Sequence, residues 1–244
     1  MRSLPLLADG FVDLVLGSRC VGCERPGRPL CAVCHATLPG EASPRWPTPC
    51  PEGLAPPYAA GGYDGVLRAL VLAHKERRVL ALTAPLGQLL AVAVAGAVAG
   101  ADRGGAAAPL VLVPVPSRPA SVRQRGHDPT LAMTRAAARR WGPDAVTARL
   151  LRLRPGVVDQ AGLDAAARVA NLAGSMTAPA AAVRRLARRR PRAHVVVCDD
   201  VLTTGATLRE AQRALEAAGV PVLAAAVVAA TARRGPTAAA VSPG

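Results

Sequence analysis

Short apolar runs alternate with helical patterns over much of the chain. The runs at 110–115, 195–198 and 222–228 are rich in valine, leucine and alanine and predict buried strands. The segments 131–140 and 208–218 instead repeat apolar residues at helical spacing. This alternation predicts an α/β fold, a parallel sheet with helices on both faces. Ligands of such sheets bind beyond the carboxyl ends of the strands, so a functional site is expected there.

The longest uncharged stretch, 79–101, raises the question of a membrane span. It is long enough to cross a bilayer, and Arg77 and Arg78 stand at its edge. Alanine and glycine dominate the stretch, however, and Pro85 and Gln88 lie inside it. A packing stripe recurs every fourth residue, at Leu82, Leu86, Leu90 and Val94. We therefore predict a helix of a soluble core, with a membrane span as the alternative.

The N-terminal residues lack the pattern of an export signal. The apolar run 4–7 is too short for a signal core, and Asp9 and Asp13 interrupt the residues after it. A short amphipathic helix fits 7–15 better. We therefore predict a cytoplasmic protein.

A proline-rich segment divides the chain. Seven of the nineteen residues from 39 to 57 are proline, which predicts a stiff extended linker or a wrapped connector. We place the domain boundary there. The prediction is an N-terminal helix, a small module and the linker over 1–56, followed by an α/β domain over 57–244.

Four of the six cysteines form two C-x2-C pairs, Cys20 with Cys23 and Cys31 with Cys34. In a reducing cytosol such pairs hold a metal more often than a disulfide, and four thiolates suit a structural Zn²⁺. His35 completes a C-x-x-C-H haem attachment pattern, but that attachment needs export and leaves the first pair unexplained. We therefore predict a zinc site with four cysteine ligands. The remaining cysteines are Cys50 and Cys198.

The strand at 195–198 runs directly into two acids, Asp199 and Asp200, and then into a small hydroxylated loop. The loop consists of Thr203, Thr204, Gly205, Ala206 and Thr207. Backbone amides at the start of the following helix suit a phosphate, and threonine hydroxyls add donors. Because two carboxylates repel a bare phosphate, they indicate sugar hydroxyls or a hard cation such as Mg²⁺ beside it. The simpler alternative is an ordinary strand-to-helix turn with an aspartate cap.

The pattern over 195–207 resembles the phosphoribosyl pyrophosphate (PRPP) signature of type I phosphoribosyltransferases. The resemblance implies that the two acids contact the ribose hydroxyls and that the threonine loop binds the 5′-phosphate. More of the chain resembles one branch, the ComF-like proteins, which are named for competence for DNA uptake. Besides the cysteine pairs, the matching parts are 63–65, Lys75, 113–116, 123–126, 160–163, Arg168, Asn171 and Gly174.

In that family the loop after an earlier strand contacts pyrophosphate, and a mobile segment beyond it closes over the site. Carried onto this chain, the pyrophosphate loop is Pro116, Ser117 and Arg118, and the closing segment holds Arg123, Arg125 and Gly126. Arginine suits this role because its planar fork makes bidentate bonds to phosphate oxygens, and solvated loop charges are the alternative. A cis peptide within 113–118 is a further prediction.

The chain departs from the ComF-like pattern at His127, Asp128 and Pro129, where that pattern has an aromatic residue, Asn and Gln. Asp128 brings negative charge near a polyphosphate and Pro129 removes a backbone donor, which predicts weaker turnover. We interpret His127 as an exposed loop residue rather than as a general base.

The resemblance implies displacement of pyrophosphate from Mg²⁺-bound PRPP by a nitrogen nucleophile that the sequence does not identify. The alternative is a binding protein that senses PRPP or contacts DNA or a protein, including proteins of the competence machinery. The net charge is +14, with one lysine against 29 arginines. Six arginines fall within 184–192, a density that suits phosphate backbones. A solvated surface is the competing interpretation.

Overall fold

The computed structural model describes residues 18–101, 108–154 and 174–232. The predicted helix at 7–15 and the matching parts of the chain between 160 and 171 lie outside the described residues. The described strands are β1 (Ser43–Pro44), β2 (Pro57–Gly62), β3 (Leu110–Pro114), β4 (Ala145–Thr147), β5 (Arg152–Leu153), β6 (Met176–Thr177), β7 (His194–Leu202) and β8 (Ala224–Ala230). The described α-helices are α1 (Ala32–Ala36), α2 (Gly65–Glu76), α3 (Thr83–Gly100), α4 (Pro119–Arg125), α5 (Pro129–Trp141), α6 (Ala180–Arg189) and α7 (Ala206–Glu216).

Six strands form one sheet in the order β1-β2-β8-β7-β3-β4, and β5 pairs with β6 in a separate antiparallel ribbon. Within the large sheet only β1 is antiparallel to its neighbour. The predicted strands at 110–115, 195–198 and 222–228 are confirmed as β3, β7 and β8. The strand β7 is longer than predicted, because its pairing with β8 continues through both aspartates as far as Leu202.

Alternate residues of the central strands face two separate apolar layers, as the two-residue period of a strand requires. Val196 and Cys198 face the layer that includes α2, α3 and α5. Val195 and Val197 face the other layer, which includes α7 and the half-buried side of α6. Helices on both faces of a mostly parallel sheet confirm the predicted α/β class.

The long apolar helix α3 lies in the first of these layers. The four residues of the predicted stripe are at most 1% exposed, namely Leu82, which directly precedes the helix, and Leu86, Leu90 and Val94 within it. The stretch Leu80–Gly100 is long and apolar enough to cross a membrane, but core helices of soluble proteins meet the same criterion. Gly87 lets α5 approach closely, since a Cβ there would overlap the Cβ of Ala136. We conclude that this helix is part of the sheet's core.

The proline-rich segment wraps onto the sheet domain rather than standing away from it. Its β1 pairs with β2, and Leu54 is 6% exposed within the second apolar layer. Gln212 of α7 anchors it twice, by donating to the carbonyl of Gly53 at 2.9 Å and by accepting from the amide of Ala55 at 2.8 Å. The domain boundary at residue 56 stays a prediction.

Candidate functional site

The carboxyl ends of β3 and β7 lie side by side, because these two strands pair in parallel from Leu110 with His194 to Pro114 with Cys198. The loops after these strands therefore open at the same edge of the sheet. They line a cleft of about 570 Å³ together with α2 and α4. Of the residues predicted from the sequence, the cleft brings together Pro116, Ser117, Arg118, Arg125, Asp199, Asp200, Thr203 and Thr207.

The two acids form a corner tied by short hydrogen bonds. The amide of Asp200 donates to Asp199 Oδ1 at 2.8 Å, and the amide of Val201 donates to Asp200 Oδ1 at 2.9 Å. The side chain of Asp200 is only 9% exposed. Burial and the neighbouring charge of Asp200 raise the pKa of Asp199 well above its usual value, although Lys75 opposes the rise. The corner thus places two acidic side chains next to each other, a pair suited to bonding with adjacent hydroxyls.

Lys75 joins the corner from 125 residues earlier in the chain. Its Nζ lies 2.6 Å from Asp200 Oδ2, so one of the two acidic charges is already balanced. Burial lowers the pKa of Lys75, but the charge and hydrogen bond of Asp200 outweigh it and the pKa is raised. From the sequence, Lys75 is expected only as part of the family resemblance. A lysine in the last turn of a helix also complements the helix dipole, so nothing local indicates a site residue.

The threonine loop turns sharply into α7. Gly205 has φ +76°, a conformation that residues with a side chain rarely adopt, and α7 begins at the next residue. Thr203 and Thr207 line the cleft, while the Thr204 hydroxyl lies 3.4 Å from the amide of Ala206 and accepts from it. The loop thus presents two hydroxyls and a helix N-terminus to the cleft, an arrangement that suits an anion.

The predicted pyrophosphate loop is held in place by Asp128. Ser117 Oγ donates to Asp128 Oδ1 at 2.9 Å, and the same oxygen accepts the amide of Leu131 at 3.1 Å. Asp128 is therefore the N-cap of α5, and Pro129 is its first residue, where a proline loses no helical hydrogen bond. The departure from the family pattern thus has a structural reason.

The predicted cis peptide is wrong, since every peptide from 113 to 118 is trans.

The predicted closing segment is the short helix α4, which is followed by Gly126 as its C-cap, with φ +73°. Arg125 lines the cleft and pairs with Glu76 of α2, with Nη2 3.0 Å from Oε1. Arg123 is exposed and does not line the cleft. The prediction that His127 is exposed is wrong. It is half-buried, with its ring edge-on to His74 at a centroid distance of 5.3 Å.

The four paired cysteines converge at a second place. Their sulfurs all lie within 4.8 Å of one another, and those of Cys23 and Cys31 are 3.7 Å apart. Four sulfurs at about 2.3 Å from a tetrahedral Zn²⁺ stand about 3.8 Å apart, so the cluster fits that ion. Burial opposes ionisation of Cys20, but backbone amides, first that of Cys31, outweigh it and lower its pKa to about 6. Cys50 is exposed and outside the cluster.

Residues 151–240 match the family model of the phosphoribosyl transferase domain. No curated protein matches the chain. The matched segment contains β7, the acidic corner, the threonine loop, α7 and β8. The chain therefore combines a phosphoribosyltransferase-like α/β domain with a four-cysteine module before it that can hold zinc.

Proposed function

We propose that the cleft binds PRPP and that the chain is a ComF-like protein of the phosphoribosyltransferase class. One observation carries the proposal: two loops from adjacent strand ends place carboxylates, threonine hydroxyls and arginines around a single cleft. Its volume, about 570 Å³, lies within the range of small-ligand sites. The family match and the cysteine cluster support the same assignment. The cysteine module acts as a structural part and holds Zn²⁺.

Each loop then has a role. Asp199 and Asp200 bond to the ribose hydroxyls, with Lys75 keeping Asp200 oriented and partly neutralised. The segment 203–207 and the start of α7 bind the 5′-phosphate, and 116–118 bind pyrophosphate. Arg123 and Arg125 belong to the closing segment. Mg²⁺ bound with PRPP would supply further positive charge to the pyrophosphate oxygens.

The reaction is a substitution at the anomeric carbon of the ribose. A nitrogen lone pair of the acceptor forms the new carbon–nitrogen bond, and the bond from carbon to the pyrophosphate oxygen breaks. Pyrophosphate departs with the electron pair, and the proton of the acceptor nitrogen passes to solvent. The two carboxylates hold the ring in line, while arginines stabilise the charge that grows on the leaving group.

Isothermal titration with PRPP and Mg²⁺ tests the proposal. We expect Asp199→Asn and Asp200→Asn each to weaken binding by about tenfold or more, since each removes a charge-assisted hydrogen bond. Asp144→Asn is the matched control, because Asp144 is an exposed acid beside the amino end of β4, at the opposite edge of the sheet. Absence of PRPP binding in the parent protein, or equal losses in all three variants, would refute the proposal.

Release of pyrophosphate from PRPP in the presence of candidate acceptors separates an enzyme from a sensor. An enzyme releases it in an acceptor-dependent manner and loses this activity with Asp200→Asn. A PRPP sensor binds without release. Either protein would work in the cytoplasm, where reducing conditions keep the cysteine thiols available for metal.

A second proposed role, contact with DNA in a competence pathway, rests on α6. Its half-buried side packs through Val183 and Leu186 onto the sheet domain, which leaves a basic side outward. The exposed arginines of this helix are Arg184, Arg185, Arg188 and Arg189. We expect salt-sensitive binding to single- and double-stranded DNA, and a weaker salt dependence for R184Q/R188Q. If R184Q/R188Q binds DNA as the parent does, α6 is not the contact.

A further inference from the structure

A second cavity, of about 540 Å³, adjoins the cleft and shares the wall formed by Pro116 and Ser117. It lies between the loop after β3, the segment around β5 and the middle of α6. Its other lining residues are Pro119, Arg149, Leu151, Arg152, Leu153 and Arg185. Pro116 and Ser117 belong to the proposed pyrophosphate loop, but the predicted PRPP roles include none of the cavity's arginines, Arg149, Arg152 and Arg185.

The lining of this cavity is basic and contains no carboxylate among the described residues. Arg149, Arg152 and Arg185 are exposed, and their guanidinium groups make no ion pair within the part of the chain that the structure describes. Three such guanidinium groups around one concave space concentrate positive potential. Guanidinium groups match the planar geometry of carboxylate and phosphate oxygens.

The backbone that carries two of these arginines is firmly held. Leu150 and Leu151, which stand between Arg149 and Arg152, are 3% and 5% exposed in the second apolar layer. The strand β5 pairs with β6, and the amide of Arg154 donates to the carbonyl of Ser175 at 2.8 Å. The arginines thus project from an anchored segment, which lowers the cost of ordering them around a ligand.

The volume and lining of the cavity favour a small molecule over a nucleic acid strand. Its volume is in the range of small-ligand sites, and Leu151, Leu153 and Pro119 give it apolar walls. The arginines on the outer side of α6, such as Arg184 and Arg188, line a different and smaller space, of about 390 Å³. We propose that this second cavity is a separate binding site for a small organic anion, whose carboxylate or phosphate group pairs with Arg149 and Arg152 while its apolar body contacts the leucines.

Benzoate and benzamide are suitable probes, because they have the same ring and differ in charge. In ligand-observed NMR titrations of the full chain we expect benzoate to bind at least about tenfold more tightly than benzamide. The variant R149Q/R152Q should lose about tenfold in benzoate affinity. The matched control R184Q/R188Q removes the same charge from the outer side of α6 and should retain the benzoate affinity of the parent.

Titration with PRPP and Mg²⁺ in parallel keeps this proposal separate from the proposed function. Unchanged PRPP binding by R149Q/R152Q shows that the variant is folded, and thermal unfolding provides the same check if the parent does not bind PRPP. Equal binding of benzoate and benzamide, no binding of benzoate at millimolar concentration, or equal losses in both variants would overturn the proposal. So would an R149Q/R152Q variant that loses only DNA binding.

Discussion

The cysteine module and the α/β domain are stabilised in different ways. Among the module's described residues, 18–38, only Cys20 and Cys34 are buried, and Val33 is 61% exposed. The α/β domain instead encloses two apolar layers with many fully buried leucines and valines. A region with so little buried apolar surface needs another source of stability, and a metal ion held by the four cysteines can supply it.

The two regions nevertheless touch. A Cβ at Gly22 would lie 3.1 Å from Val66 of α2, and Val21 packs against the first apolar layer. Since α2 also carries Lys75, the module lies against a helix that contributes to the cleft. We therefore expect metal binding to stabilise the module and apolar burial to stabilise the α/β domain.

Removal of zinc should have the largest effect. Chelation, or Cys20→Ser, is expected to abolish zinc binding, an interaction with an apparent free energy of about 10 kcal/mol or more in small zinc modules. Hydrogen exchange over 18–38 should become fast while the sheet remains protected. Cys50→Ser is the control, because Cys50 lies outside the cluster. Equal zinc loss in that variant would contradict the assignment.

A cavity in the sheet domain should have the opposite signature. Leu90 is 0% exposed, so Leu90→Ala should lower the free energy of unfolding by about 2–5 kcal/mol in urea titrations and leave zinc content unchanged. Leu80 is 56% exposed. Leu80→Ala should therefore change the free energy of unfolding by no more than about 0.5 kcal/mol. Similar losses of stability in the two variants would show that burial of Leu90 does not stabilise the sheet domain.

Acid should destabilise the sheet domain through His74. Burial and the charge of His127 lower the pKa of His74 to about 4, although Asp200 acts in the other direction. A histidine with a lowered folded pKa contributes stability above its unfolded pKa, about 6.5, and loses it as pH falls toward the folded pKa. The free energy of unfolding should fall by about 3 kcal/mol as His74 takes up its proton.

Unfolding titrations between about pH 7 and pH 4 check this slope. His74→Gln should flatten the dependence, because the variant has no proton to bind at this position. His35→Gln changes an exposed histidine of the cysteine module and should keep the parent slope. A parent slope that persists in His74→Gln would assign the acid sensitivity to another group.

The smallest expected effect concerns the loop against which the connector packs. Gly205 and Gly219 have nearly the same φ, +76° and +77°. Replacing either glycine by alanine therefore introduces about 1–2 kcal/mol of backbone strain. Only at Gly205 does the added Cβ meet neighbours, Leu54 and Pro47 at 3.1 Å. Gly205→Ala should therefore destabilise the protein by about 1 kcal/mol more in urea titrations. Equal losses would show that the connector does not constrain the loop.

Much of the architecture could be predicted because it depends on local patterns. The valine run of β7 and the helical spacing of α7 predicted their elements, and the stripe through Leu86 and Leu90 predicted the buried side of α3. The cysteine spacing likewise predicted a cluster. These patterns predict structure because a strand and a helix place residues on one face at fixed periods.

The roles of residues 127–129 depend partly on other elements of the fold. Asp128 and Pro129 are expected to weaken turnover, which stays a prediction, and the structure shows in addition that they begin α5 and that Asp128 holds Ser117. His127 was expected in solvent but meets His74 of α2. No pattern near residue 127 encodes either contact.

Residue order alone was thus enough to establish the α/β class, the paired cysteines and the strand end that carries two acids. Folding alone decided that Lys75 would balance Asp200, that the proline-rich connector would pack against Gly205, and that three arginines would surround a second cavity. The physical reason is distance along the chain. Periodicity and turn chemistry act over a few residues, whereas these contacts join segments that only the packing of the sheet brings together.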